Sequence, residues 1–126
     1  GKTVKRIWLG IGLLLLLMAI GQGISWKMDH LHETTCLQLR QAVEATQWEE
    51  ATALGHAAQT QWEAHRRFTA SLADHQEVDQ IDALFAQLEV YRTQGDTLSH
   101  ASTCAHLEEA ITALQETHRL TWWNLL

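Results

Sequence analysis

Among the side chains able to do chemistry the histidines are prominent, eight in 126 residues. His65, His75 and His118, with Glu77 and Asp79, offer imidazole beside carboxylate. That set binds zinc and similar divalent ions, and it is equally the chemistry of a pH-responsive pair. The spacing matches no metal motif: H-E-x-x-H, E-x-x-H and C-x-x-C are all absent from the chain. Two plainer readings stand beside the metal site. In one, His65 and His118 are hydrogen-bonded polar residues at the wetter end of a core, Asp74 and Glu77 cap a helix, and the other acids form a solvated face. In the other, the cluster is a polar patch that touches a partner. His56, His100 and His106 read as surface or edge positions. Nucleophilic catalysis finds no support. Ser25, Ser71, Ser99 and Ser102 sit in no triad-like context, and there is no glycine-rich phosphate loop. The expectation is a protein without enzymatic activity and without a cofactor.

The elements that would position these groups follow from charge and hydropathy. Lys+Arg total 9 and Asp+Glu 15, for a net charge of −6. All 15 acids lie after residue 26, against six bases (Lys27, Arg40, Arg66, Arg67, Arg92, Arg119), so residues 27–126 carry 6 − 15 = −9. Such a surface repels nucleic acid phosphates. Ile7 to Trp26 is a run without charge, about the ~20 residues needed to cross a bilayer core. Trp8 and Trp26 bracket it at the two interfaces. Lys2, Lys5 and Arg6 precede it, and the positive-inside bias puts the N-terminal side in the cytoplasm and residues 27–126 outside. A cleaved signal peptide, with Ala19-Ile20-Gly21 as its site, is the alternative; the apolar run is long for a signal core. Its glycines form no G-x-x-x-G pair.

No proline occurs in the chain, which points to uninterrupted helices. Residues 1–26 read as foot and anchor, and residues 27–126 as an external helical domain. The first helix continues from the anchor to about Ala45, with His32, Cys36, Leu39 and Val43 facing inward. Thr46-x-x-Glu49 reads as a capping box opening a second helix with the stripe Trp48, Ala51, Gly55, Ala58, Trp62, His65. Asp74-x-x-Glu77 starts a third, with Val78, Ile81, Phe85 and Leu88, ended by Gly95. Asp96 caps a fourth, with Cys104, Leu107, Ile111, Leu114, His118, Thr121 and Leu125. Short connections make consecutive helices antiparallel, so the expected fold is all-α, a transmembrane helix continuing into an up-down-up-down four-helix bundle.

In that layout Cys36 lies nine residues below the top of the first helix and Cys104 eight below the top of the fourth, depths of about 13 and 12 Å. The expectation is a Cys36–Cys104 disulfide, worth about 4 kcal/mol in the chain-entropy description. The same layout brings the apolar stretch from Leu120 to Leu126 down to the membrane surface, where Trp122 and Trp123 suit the headgroup region, the base of the bundle or a partner.

Trp48-Glu49-Glu50-Ala51, Trp62-Glu63-Ala64-His65, the run from His75 to Ile81, and Leu120-Thr121 with Asn124-Leu125-Leu126 follow a Lys-Arg and apolar anchor. In this the chain resembles a family of small uncharacterised bacterial membrane proteins, a domain-of-unknown-function family found mainly in Gram-positive lineages. The resemblance spans essentially the whole chain, and its most distinctive piece is His-x-Glu-Val-Asp-x-Ile. It implies a single-pass protein with an external helical domain, whose relatives look like neighbours of multi-pass membrane proteins in gene clusters. It implies no activity. The cysteine pair and the Trp-Trp end depart from the family. The functional expectation is a membrane-anchored module that binds or stabilises another membrane protein. The alternatives are a metal-binding or pH-responsive sensor using His65, His75, Glu77, Asp79 and His118, and a subunit of a large envelope assembly.

Overall fold

The computed structural model describes the backbone of residues 1–125 and their side chains except those of Ser25, Met28, Leu31, Leu72 and residues 121–125. The side chains of Trp122 and Trp123, together with Thr121 and Leu125 of the expected fourth stripe, thus lie outside the described residues. The protein is all-α, with no strand among the described residues. Its helices are α1 (Lys2–Glu44), α2 (Trp48–Leu72), α3 (His75–Gln94) and α4 (Thr97–Leu125).

Helix α1 is one continuous element of 43 residues. Its first part, Lys2–Ile24, is long and apolar enough to cross a membrane. Residues 1–20 are all exposed, with Trp8 at 68%, so no other helix covers this apolar surface. α1 stops where Ala45 turns extended (φ −65°, ψ 132°). The expected Thr46 capping box does not form. Gln47 occupies the N-cap position without a side-chain bond, and its carbonyl accepts from Ala51 N at 3.0 Å. With Ala45 and Gln47 extended, Thr46 falls one position too early to cap, and Glu49 and Glu50 in the first turn serve the helix dipole instead. Asp74 does cap α3, accepting from Gln76 N at 3.0 Å. Gly95 ends α3 in the left-handed region (φ 69°). Asp96 caps α4 through Ser99 N at 3.1 Å, and those Ser99 bonds hold its carboxyl below the usual range.

Three contacts fix how α1 and α4 lie together. Asp29 meets Arg119 at 3.0 Å, Cys36 meets Thr112 at 3.9 Å and Arg40 meets Glu108 at 2.7 Å. Each step forward on α1, seven residues and then four, is matched by an equal step back on α4, so the two run in opposite directions. α1 also packs on α2, and α3 packs on α4 and α2. The core joins Leu39 and Ala42, Ala58 and Trp62, Val78, Ile81, Leu84, Phe85 and Leu88, and Leu107, Ile111 and Leu114. α3 buries the stripe its sequence predicts, and α4 buries its own from Cys104 to His118. On α1 beyond the apolar segment the described buried positions are His32, Thr35, Leu39 and Ala42; Cys36 is half-buried and Val43 exposed. The inward face is therefore rotated by one residue from the expected stripe, because α1 packs between α2 and α4 rather than on one of them.

The expected Cys36–Cys104 bridge is absent, and both residues are free thiols. The α1–α4 register sets Cys104 level with Glu44, eight residues beyond Cys36, a separation of about 12 Å along the axis. Depths counted from the helix tops hold only where both tops stand at one height. α4 begins well above the end of α1, which removes that condition.

Candidate functional site

Just beyond the apolar segment the core turns polar. His32 is 1% exposed, and Thr35 and Thr69 are fully buried. The Thr69 hydroxyl donates to the His65 carbonyl at 3.1 Å and lies 3.0 Å from His32 Nε2. A hydroxyl has one proton, so Nε2 carries the hydrogen and donates to Thr69 Oγ1. This leaves His32 Nδ1 as a bare acceptor. It has no hydrogen-bond partner, and neither has Thr35 Oγ1 or His118 Nε2. The His32 ring also packs on Trp62, with centroids 5.7 Å apart.

The charge of His32 is strongly opposed here. Burial is the largest cause, the His65 and His118 imidazoles add to it, and only Asp29 acts the other way; together they push its pKa down to about 4. A layer of imidazoles, with His32 neutral at its centre, therefore joins α1, α2 and α4 a few residues above the apolar segment. At its rim Arg119 holds Asp29, and Lys27 Nζ lies 4.7 Å over the Phe68 ring. Trp26 stacks on His30 at 5.3 Å.

The five candidate ligands do not converge. His65, half-buried, and His118, buried, belong to this layer. His75 is exposed at the first position of α3, and Asp79 is exposed with Arg66 Nη2 at 3.9 Å. Glu77 lines a separate hollow between α3 and α4, with Ile81, Glu109 and Leu114. Among the described residues no group of three His, Cys, Asp or Glu side chains could hold a metal ion. Asp79 and Asp82 of α3 reach α2 instead. Asp82 accepts from Trp62 Nε1 and from Arg66 Nε, each at 2.7 Å, which ties the two helices together.

His100 is a further correction, being 1% exposed rather than at an edge. Trp48 meets it edge-on at 5.0 Å, and Cys104 Sγ lies 3.9 Å from its Nδ1. Burial lowers the His100 pKa and lifts the Cys104 thiol to about 12, so this pair forms no reactive thiolate. Gly55 makes room for it, since a Cβ there would stand 3.2 Å from His100 Nε2. The sequence carries a signal for this: His100 lies four residues before Cys104, on the same helix face.

Compared with known domain families, residues 24–125 match the domain of unknown function DUF4363. The chain belongs to the DUF4363 family. The matched stretch begins at the end of the apolar segment and takes in the polar layer, the Asp82 cluster and all of α2, α3 and α4. No curated protein and no solved structure matches the chain.

Proposed function

We propose that this protein is a membrane-anchored, non-enzymatic helical module that binds or stabilises a partner membrane protein. In this reading Lys2–Ile24 crosses the bilayer once, with Lys2, Lys5 and Arg6 on the cytoplasmic side, and residues 27–126 form an up-down-up-down four-helix bundle outside. The observation that carries the reading is the uninterrupted α1. An apolar surface that no other helix covers runs without a hinge into the packed core of a DUF4363 domain. Uncovered apolar surface of that length calls for lipid. The outer part keeps apolar side chains in water as well, Leu37 on α1 and Leu98 on α4, the latter 80% exposed, on a domain of charge −9. These suit a protein partner better than a small substrate. Purification from detergent-solubilised membranes with mass spectrometry tests the proposal. A reproducible membrane-protein partner supports it. Recovery of the chain alone, with Trp122→Ala/Trp123→Ala behaving as the parent, overturns it.

A second reading, an acid-responsive module, is favoured by the buried His32 with its unpartnered Nδ1 beside His65 and His118. The metal-binding form of that reading has no such support. Partner recovery that is unchanged between neutral and acidic buffer argues against acid response.

A further inference from the structure

The α1–α4 register extends past the last contact. Continued from Asp29–Arg119 at the same step, Leu120 falls level with Met28 and Leu125 level with Gly23. The apolar segment of α1 ends at Ile24. α4 therefore does not stop above that segment but runs down beside its outer end.

The composition changes at the same level. Arg119 is the last charged side chain of α4, held by Asp29 at 3.0 Å and Glu116 at 3.7 Å. Leu120, Thr121, Trp122, Trp123, Asn124 and Leu125 carry no charge, and Leu120 is 62% exposed. An uncharged stretch rich in Trp and Leu is the composition that settles at the boundary between headgroups and acyl chains.

We propose that the end of α4, residues 120–125, is a second membrane contact, seated in the headgroup region of the bilayer that α1 crosses. The bundle is then held to the lipid surface at two points instead of standing free on one stalk. This rests on the anchor reading above. Lipid is the occupant chosen because the stretch is continuous in level with the membrane-crossing segment.

The test uses the full chain in phosphatidylcholine–phosphatidylglycerol vesicles, in a Cys36→Ser/Cys104→Ala background. A fluorophore is attached through Asn124→Cys and, in a second variant, Leu120→Cys. Leu14→Cys reports the apolar segment and Leu98→Cys the far end of the bundle. Quenching by lipids carrying a nitroxide near the headgroup is compared with quenching by aqueous iodide. The expected result is that labels at 120 and 124 lose more than half their emission to the lipid nitroxide and are quenched by iodide several-fold less than the label at 98. Labels at 120 and 124 open to iodide overturn the proposal by leaving this end in water. Labels shielded from both quenchers overturn it by showing a protein cover. If the label at Leu14 is open to aqueous iodide, the anchor reading fails, and that failure is seen separately.

Discussion

Lowering the pH should loosen this fold through His32. In the folded chain its Nε2–H is committed to Thr69 and its Nδ1 is buried without a partner. A proton added at Nδ1 would become an uncompensated charge beside His65 and His118, with Asp29 the counteracting group. The pKa is 6.5 when the chain is unfolded and about 4 when it is folded. A base whose pKa falls on folding contributes its full stability above the higher value. It loses that stability as the pH drops from 6.5 towards 4, because only the unfolded chain takes up the proton. At 1.36 kcal/mol per pH unit the whole interval amounts to about 3 kcal/mol, of which about 2 is gone near pH 5. His100 acts in the same sense, its pKa also lowered, so a control is required. His32→Leu removes the titration, while the Thr69 hydroxyl keeps its bond to the His65 carbonyl. Urea unfolding of the full chain in non-ionic detergent, followed by circular dichroism, should give a parent less stable by about 2 kcal/mol near pH 5 than near pH 7.5. In His32→Leu that difference should shrink by about the same amount. An equal pH dependence in parent and variant would refute the reasoning.

Three further outcomes are expected. Asp82→Ala strands the buried Trp62 Nε1–H and releases Arg66, and should cost about 1–3 kcal/mol in denaturant unfolding; a variant as stable as the parent counts against the α2–α3 tie. Gly55→Ala would ordinarily add about 1 kcal/mol of helix propensity. Here its Cβ would crowd the His100 ring and Leu88 Cδ2, at 3.2 to 3.3 Å, so thermal melts should show a net loss. A maleimide should modify Cys36 slowly in the native chain and leave Cys104, fully buried, untouched until denaturant is added; mass spectrometry of non-reduced protein should find two free thiols.

Much of this architecture is legible in the sequence alone. The stripe from Val78 to Leu88 lies between two strong signals, the Asp74 cap and the left-handed Gly95, and that from Cys104 to Leu114 follows the Asp96 cap, so local rules suffice there. What is not legible depends on how helices slide against each other. The α1–α4 offset is set by side chains more than sixty residues apart, and it decides both the cysteine separation and the level of α4's end. The rotation of the α1 face has the same origin, since a helix covered on two sides hides a residue such as Thr35 that a single stripe omits. The metal candidates fail for a local reason: His75 and Asp79 share an outer face of α3, which no spacing rule distinguishes from an inner one without the packing.

The uninterrupted α1 makes the protein a lever. From Ile24 to Glu44 the helix extends about 30 Å beyond the apolar segment. In the proposed anchor reading, a change of tilt in the bilayer of about 10°, within the range that membrane thickness alone produces, swings its far end by about 5 Å. No flexible joint absorbs that motion. It is passed to α2 through the His32–Thr69 bond and to α4 through Arg40–Glu108 and Asp29–Arg119, so the outer helices move as a body with whatever tilts the apolar end.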